Sequence, residues 1–534
     1  MPDHVLLSAA ALPTLVEALH RRGYRVLGPT RTQGAIALGD LADGSELPRG
    51  VGDEQDAGNY RLRERDDELL FGFATTAQSP KSVLFPPDEL LWRGVSDGAR
   101  FTVARNPAVG GRAGGHDPGR VPAGPGDPET ASPTPEDLGS GDSDSYAGAD
   151  PYGANPNPEG PDSGADRRDV DRDPNPPPPD DRPVAILGVR GCDLAAIAIQ
   201  DRILLGRTSI DAHYALRRGD AFLVAVTCGT PGGTCFCASM GTGPAPGPGA
   251  DLTVTELADP HRFLVAAGTP LGVEVLAELP TTPAGEPDLA AAEAVVASAV
   301  AAMGRRLRTD DLHDLLFASA ESPRWNDVAT RCLACTNCTA VCPTCFCTTI
   351  ADVTDLAGRD GERHRVWDSC FSMEYSTLHG GAVRSSIASR YRQWLTHKLA
   401  SWTDQFGMIG CVGCGRCITW CPAGIDLTVE VAALRELSEA HGAVAAGVGV
   451  GAVGAGGAAT PRAGAGGAAA GVAGAGGEAV AQVGANAGAG GAPAATPRAG
   501  AGGAAAQVAA QVGASGAAAQ LSASARTGSD SQER

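Results

Sequence analysis

The amino-acid sequence predicts an α+β protein in which an α/β domain precedes a mainly helical domain. Three observations support this prediction. Strand-like and helix-like apolar runs alternate over residues 1–103 and 183–320, which we read as one domain in two pieces. Cysteines concentrate in residues 321–440, around one long helical run. Residues 104–182 and 441–534 hold too little apolar material to form a core.

The elements of the α/β domain follow from its apolar runs. A helix is predicted at about residues 8–22, and VAILGVRGCDLAAIAIQDRILL predicts a strand and then a helix at 184–205. AFLVAVTC at 221–228 predicts a buried strand, and the Ala- and Leu-rich residues 287–318 predict helices. FPPDELL at 85–91 predicts a helix start, because proline is favoured in a first helical turn.

The two segments without a core differ in composition. Residues 104–182 carry 16 acidic and 7 basic residues among many Pro, Gly and Ser, which predicts a disordered acidic insert. Residues 441–534 form a Gly/Ala-rich tail that is also predicted to be disordered. GVGAVG at 449–454 matches the G-x-G-x-x-G pattern, but no convincing strand-turn-helix unit surrounds it, so we predict no dinucleotide site there.

Charge and hydropathy exclude two classes of function. The net charge is −20 and no Lys/Arg-rich patch stands out, which argues against a nucleic-acid binder. The long uncharged runs lie in the tail and lack the large apolar side chains of a membrane span. The N-terminus has no basic region of a signal peptide, which predicts a cytoplasmic protein. Since the cytoplasm is reducing, its 15 cysteines are expected to bind metal or to carry out redox chemistry.

Two runs of four cysteines give the strongest signal. Both have the spacing C-x2-C-x2-C-x3-C-P of bacterial ferredoxins, which bind iron–sulfur clusters. Three thiolates at i, i+3 and i+6 wrap one cluster, and in two-cluster ferredoxins the fourth Cys ligates the other cluster. Zinc, the alternative, usually takes pairs of C-x2-4-C knuckles with no third Cys at i+6.

The sequence therefore predicts two [4Fe-4S] clusters with crossed ligands. The first cluster is assigned to Cys332, Cys335, Cys338 and Cys421. The second cluster is assigned to Cys411, Cys414, Cys417 and Cys342. The 68 residues between Cys342 and Cys411 include a helical run at 382–402, which favours a helical ferredoxin domain over a compact one.

Four upstream cysteines form a further candidate site. Cys192 follows one predicted strand and Cys228 ends another, so both could lie at the same edge of a sheet. The loop GGTCFC, with Cys235 and Cys237, could fold over them. Four thiols there predict a third [4Fe-4S] cluster, with zinc or inert buried thiols as the alternatives.

The three other cysteines do not complete a four-thiolate site by themselves. They are either buried thiols near the clusters or part of a further cluster with a ligand from elsewhere: Cys345, Cys347 and Cys370. The helical run at 382–402 carries basic residues that form either a solvated face or a surface for reduced clusters or an acidic partner. They are Arg384, Arg390, Arg392, His397 and Lys398.

A resemblance to a known family rests on four segments of the cysteine-rich region: CLACTNCTAVCPTCFCTT, RVWDSCFSMEY, SIASRYRQWLTHKL and MIGCVGCGRCITWCPAGID. They resemble the iron–sulfur beta subunit of soluble sulfhydrogenase-type NiFe hydrogenases, and equally the A subunit of anaerobic sulfite reductases. Upstream, GVRGCDLAAIAIQDRIL and CGTPGGTCFCASMGTGP fit the same family. The insert and the tail are departures from it.

The resemblance implies an electron relay in a cytoplasmic complex. This subunit would pass electrons between a flavin/NAD(P) subunit and the catalytic and small subunits of a NiFe hydrogenase. The alternative complex is an anaerobic sulfite reductase. In either case the chain is expected to transfer electrons rather than to act as a stand-alone catalyst. From other classes, an iron–sulfur redox sensor and a stand-alone enzyme stay open.

Overall fold

The computed structural model describes residues 4–105 and 182–447, apart from residues 33, 97, 99, 207 and 208. Residues 104, 105 and 441–447 are described through their backbone. Most of the predicted insert and tail, with the GVGAVG segment, lies outside the described residues.

The described residues form sixteen strands and thirteen α-helices. The strands β1 to β16 are Val5–Ser8, Arg25–Arg31, Ile36–Asp40, Val51–Asp56, Asn59–Glu64, Asp88–Ser96, Phe101–Arg105, Val184–Arg190, Phe222–Val226, Leu252–Leu257, Arg262–Ala267, Thr281–Pro283, Thr348–Thr354, Asp360–Trp367, Thr377–Leu378 and Gly381–Ala382. The helices α1 to α13 are Leu12–Arg21, Lys81–Leu84, Gly191–Leu204, Ala212–Asp220, Pro270–Leu276, Glu286–Ala302, Leu312–Ala318, Arg324–Ala329, Asn337–Ala340, Ile387–Thr396, Trp402–Phe406, Arg416–Thr419 and Leu427–Gly447.

Eight strands form one mixed sheet in the order β12-β1-β11-β10-β9-β8-β2-β3. Its centre, β2-β8-β9-β10, is parallel, and the flanking pairs are antiparallel. The central strands are nearly continuous apolar runs, as expected for strands covered on both faces. Phe222 and Val224 of β9 enter one core, whereas Leu223 and Ala225 enter the core on the opposite face.

The predicted elements of this sheet are largely confirmed. The strand and helix at 184–205 are β8 and α3, and the buried strand at 221–228 is β9. The helix predicted near the N-terminus is α1, preceded by a short 3₁₀ turn. The helices predicted within 287–318 correspond to α6 and α7.

The helix predicted from FPPDELL is wrong. Residues Asp88–Ser96 form strand β6, which is paired on both sides by β7 and β14. The short helix α2 ends at Leu84, before the two prolines. Proline disfavours the helical conformation of the residue before it, so Pro86 and Pro87 end a helix here rather than start one.

A second sheet of four antiparallel strands, β13-β14-β6-β7, adds a strand component that the prediction of a mainly helical domain at residues 321–440 did not include. Residues Thr348–Thr354 and Asp360–Trp367 form a hairpin whose second strand pairs with β6. The sheet therefore draws on both sides of the predicted domain division at residue 320. The domain boundaries themselves stay a prediction.

The helical part of the cysteine-rich region follows the sequence more closely. The predicted run at 382–402 appears as α10, a π-helical turn at His397–Ser401 and α11. Trp394, Leu395 and Leu399 of this run are buried in a core that also contains Leu316 and Val431. This core holds the segments that carry the two four-cysteine runs.

Candidate iron–sulfur centres

The first motif (residues 332–342) and the second motif (residues 411–421) follow the same backbone path. The third and fifth positions are left-handed in both: φ is 50° at Ala334 and 68° at Thr336, and 63° at Gly413 and 77° at Gly415. The third amide donates to the sulfur of the first cysteine at 3.4 Å in each motif. A short helix, α9 or α12, follows. Equal spacing thus produces two loops with the same backbone conformation.

The first motif lines an open pocket of about 480 Å³. Its four predicted ligands, Cys332, Cys335, Cys338 and Cys421, all lie in the wall, together with Cys417. Cys421 is therefore beside the three leading cysteines of the other motif. The amide of Ile425 donates to its sulfur at 3.4 Å.

Two orphaned donors show that this pocket fits a cluster. The hydroxyl of Tyr391 and the indole Nε1 of Trp394 are buried and have no hydrogen-bond partner among the described residues. Both side chains line the pocket. Buried donors normally find an acceptor, and the sulfides of a [4Fe-4S] cluster are acceptors.

The second motif has Cys342 as its neighbour. Burial raises the pKa of Cys417 well above its ordinary value, and further increases come from nearby thiols, those of Cys411, Cys414 and Cys342. Burial also raises the pKa of Cys411 to about 12, with Cys414 and Cys342 again adding to the shift. These are the neighbours that the crossed assignment requires, although ligation itself stays a prediction. Iron must displace the protons of such thiols when it binds.

No single-ion site is formed by these side chains. Over the described ranges, no three His, Cys, Asp or Glu side chains group closely enough to hold one metal ion. A [4Fe-4S] cluster binds each thiolate through a different iron, so its ligands need not converge on one point.

The upstream cysteines lie together at one edge of the large sheet. Strands β8 and β9 are parallel neighbours, with Arg190 paired to Val226 at their carboxyl ends. Cys192 lies in the first turn of α3, and Cys228 lies two residues beyond β9. The loop that carries Cys235 and Cys237 returns to the same edge, and all four thiols are buried.

The thiols of this group raise one another's pKa. Burial raises the pKa of Cys235 well above its ordinary value, and Cys228 and Cys237 raise it further. For Cys192, the increase due to burial is reinforced by Asp193 and Cys237. The structure thus brings together the residues from which the sequence predicts a third site, whose occupant stays a prediction.

The upstream loop packs directly on the second motif. The amide of Phe236 donates to the carbonyl oxygen of Gly413 at 2.8 Å, and the hydroxyls of Thr234 and Thr419 lie 2.7 Å apart. A Cβ atom at Gly413 would lie 2.7 Å from the backbone nitrogen of Cys237, which leaves no room for a side chain.

A buried ion pair joins the same two regions. Arg416 of the second motif donates to both carboxylate oxygens of Asp193, at 2.6 and 3.1 Å. Their side chains are only 2% and 5% exposed. Arg416 also donates to the carbonyl oxygens of Thr76 and Gln78. Local sequence patterns give no sign of this pair, because its two residues are 223 positions apart in the chain.

The interpretation of the 382–402 run as one solvated basic face is wrong. Arg390 and Lys398 are buried, because they lie on the apolar side of the helix with Trp394 and Leu395. The spacing i, i+4 from Trp394 to Lys398 was a sequence signal for this burial.

Lys398 contacts the turn at the end of the first motif, which contains Cys342 and Cys345. Its ammonium lies 3.2 Å from the sulfur of Cys342 and 3.5 Å from that of Cys345. Burial alone would lower the pKa of Lys398, but nearby thiols, chiefly Cys342 and Cys345, outweigh it and raise the pKa. Cys347 lies close to Cys370. The amide of Asp368, two residues before Cys370, donates to the carbonyl oxygen of Cys347 at 2.8 Å, and burial and the Cys347 thiol raise the pKa of Cys370.

Comparison with known proteins identifies the family of the cysteine-rich region. Residues 331–425 match the family model of the 4Fe-4S dicluster domain. The chain is similar to the sulfhydrogenase 2 subunit beta of Pyrococcus furiosus, with 34% identity over 254 residues, 47% of this chain and 74% of that protein. No solved structure matches significantly. Among the described residues, no helix is long and apolar enough to cross a membrane. The chain therefore belongs to the family of sulfhydrogenase iron–sulfur beta subunits, which makes it an electron-transfer subunit.

Proposed function

We propose that this subunit relays electrons in a cytoplasmic NiFe hydrogenase complex, between a flavin/NAD(P) subunit and the catalytic and small subunits. The observation that carries the proposal is the continuous packing of three cysteine groups. Clusters carry out one-electron chemistry, and the protein supplies their positions and potentials. Contiguous clusters without an intervening domain are what a relay needs.

The first and second motifs adjoin each other. Cys417 of the second motif lies in the wall of the first pocket, beside Cys421. Crossed ligation would make each cluster depend on both motifs, with Cys421 serving the first cluster and Cys342 the second. We therefore propose two [4Fe-4S] clusters as the first two stations of the relay.

The upstream site continues the path on the other side of the second motif. Cys192, Cys237 and Cys414 belong to one buried cluster of side chains. Cys235 lies close enough for its thiol to reach the carbonyl oxygen of Cys414 at 3.7 Å. A third [4Fe-4S] cluster at the four upstream cysteines would extend the relay toward the large sheet.

The first motif is the end that faces solvent. Leu333, between its first two cysteines, is 66% exposed, whereas the corresponding Val412 of the second motif is 2% exposed. Electrons exchanged with a partner would therefore cross the surface around the first motif. The second cluster would exchange electrons with the first cluster and with the buried upstream site.

Iron content tests the number of clusters. The anaerobically purified chain should contain about 12 irons if all three sites hold [4Fe-4S] clusters. Cys235→Ala should reduce this to about 8, because it removes one ligand of the upstream cluster. Cys347→Ala is the matched control and should retain the full iron content. About 8 irons in the unmodified chain would restrict the relay to the two ferredoxin-type clusters.

Reduction and reoxidation of the clusters by different electron donors and acceptors test the relay itself. The complex is purified anaerobically through an affinity tag on this chain, and the visible absorption of the clusters is followed. Hydrogen should bleach the absorption, and NAD⁺ or NADP⁺ should restore it. Reoxidation by sulfite together with a siroheme absorption band, and no response to hydrogen, would assign the subunit to a sulfite reductase instead.

A further inference from the structure

Lys398 is a buried cation at the junction of the two ligand segments of the second cluster. It lies in the π-helical turn after α10, and the residue is 4% exposed. Its ammonium donates to the sulfur of Cys342 and to the carbonyl oxygen of Gly410, both at 3.2 Å. Gly410 directly precedes Cys411, the first cysteine of the second motif. One ammonium thus connects the remote ligand to the loop that carries the other three.

The surroundings of this ammonium require an anion. Its other contacts in the described structure are the hydroxyl of Thr344 at 3.2 Å and the sulfur of Cys345 at 3.5 Å. Transfer of an ammonium from water into a protein interior is costly unless a negative charge compensates it. The Cys342 thiolate of a bound cluster would supply that charge directly, through a charge-assisted hydrogen bond.

The first cluster receives a different donor at the corresponding position. Cys421 is its remote ligand, and the hydrogen bond to its sulfur comes from the neutral amide of Ile425. A full positive charge beside a cluster favours the reduced state, which carries one more negative charge, more strongly than an amide does. Hydrogen bonds to sulfur and local charge are among the factors that set cluster potentials.

We propose that Lys398 is a positioning residue that raises the reduction potential of the second cluster relative to the first. This inference rests on the crossed ligation in the proposed function. Electrons that enter at the exposed first motif would then move preferentially to the second cluster, toward the upstream site. The asymmetry comes from one side chain rather than from the ligand set, which is the same in both clusters.

A second buried lysine provides the control. Lys81 is 6% exposed and donates to the carbonyl oxygen of Cys345 at 3.1 Å, while its ammonium lies 3.6 Å from the ring centre of Trp367. Burial lowers its pKa to about 8. Because its hydrogen bond goes to the backbone and not to a ligand sulfur, its removal should shift the second cluster less.

The experiment is a redox titration of the full chain followed by EPR. Lys398→Met should shift the second cluster's midpoint potential to a more negative value and leave the first cluster unchanged. Lys81→Met should give a smaller shift, and Lys398→Arg should restore most of the original potential. The same titration in a Cys421→Ala background, which should lack the first cluster, assigns the signals. An unchanged second midpoint in Lys398→Met, or an equal shift of both clusters, overturns the proposal.

Loss of the second cluster would still be informative. If Lys398→Met loses iron, Lys398→Gln keeps a donor without the charge and is titrated in its place. Iron lost in both neutral variants but retained in Lys398→Arg would support the need for a cation at Cys342. Iron lost in all three variants would overturn the proposal, because packing alone would then explain the residue. Failure of the hydrogen test would leave these results unaffected, since they are measured on the chain without a partner.

Discussion

The two four-cysteine motifs have the same ligand spacing and the same backbone path, but different surroundings. The first motif faces solvent, and its left-handed positions are Ala334 and Thr336. The second motif is packed beneath the upstream cysteine loop, and its left-handed positions are Gly413 and Gly415. The left-handed conformation is therefore a property of the motif itself. Glycine is needed in the second motif because the upstream loop leaves no room for a side chain.

The largest effect should come from replacing the fourth cysteine of either motif, Cys421 or Cys342, by alanine. Cys421→Ala should remove about 4 irons and abolish the EPR signal of the first cluster, although Cys421 belongs to the second motif. Cys342→Ala should likewise remove about 4 irons, but it should abolish the EPR signal of the second cluster instead. Iron content and reduced-state EPR measure both. Loss of the second cluster in Cys421→Ala would show that each motif binds its own fourth cysteine.

A smaller effect is expected when the polar interaction of the sixth motif position is removed. That position is Arg416 in the second motif. Asp193→Ala would leave the buried Arg416 of the second motif without its carboxylate partner, which should cost about 3–5 kcal/mol of unfolding free energy. The corresponding residue of the first motif is Asn337, whose side-chain amide donates to the carbonyl oxygen of Trp420 at 3.0 Å. Asn337→Ala should cost only about 0.5–1.5 kcal/mol.

The midpoint of anaerobic thermal unfolding ranks these two variants. The larger decrease should belong to Asp193→Ala, because a buried charge is left uncompensated only there. Equal decreases would mean that the ion pair contributes no more than an ordinary hydrogen bond.

How far the sequence predicts the molecule depends on the range of each interaction. The ligand groups follow from local spacing, and the edge position of Cys192 and Cys228 follows from two local strands. The contact between Phe236 and Gly413 could not be read this way, because it joins loops that are far apart in the chain. The same limit applies to the pairing of β14 with β6, which joins residues on opposite sides of the insert.

Lys398 is a different kind of omission. Its position on the apolar side of the helix is visible in the sequence from Trp394 and Leu395, but charge alone suggested a solvated face. Burial of a lysine becomes intelligible only when an anionic partner is known, and Cys342 lies 56 residues away.

Next in size is a steric effect confined to the second motif. A Cβ atom at position 415 would lie 2.5 Å from the hydroxyl oxygen and 2.6 Å from the carbonyl oxygen of Thr234. Gly415→Ala should therefore cost roughly 2–4 kcal/mol, from the left-handed conformation and from overpacking. The thermal unfolding midpoint should fall, and the upstream site should lose iron before the first cluster does. A variant with the stability and iron content of the original chain would show that the two loops are not in close contact.

The smallest effect, of opposite sign, is expected at the equivalent position of the first motif. Thr336 is β-branched and left-handed, with φ of 68°, a conformation that costs a non-glycine residue roughly 1–2 kcal/mol. Thr336→Gly removes this strain, but it adds about 0.5–1 kcal/mol of chain entropy to the unfolded state. The net change should be a stabilisation of up to about 1.5 kcal/mol. A rise in the unfolding midpoint, with iron content unchanged, would show that solvent exposure lets the first motif tolerate a strained residue. A clear fall would mean that the Thr336 side chain makes contacts that outweigh its strain, and the contrast between the motifs would then not be one of packing alone.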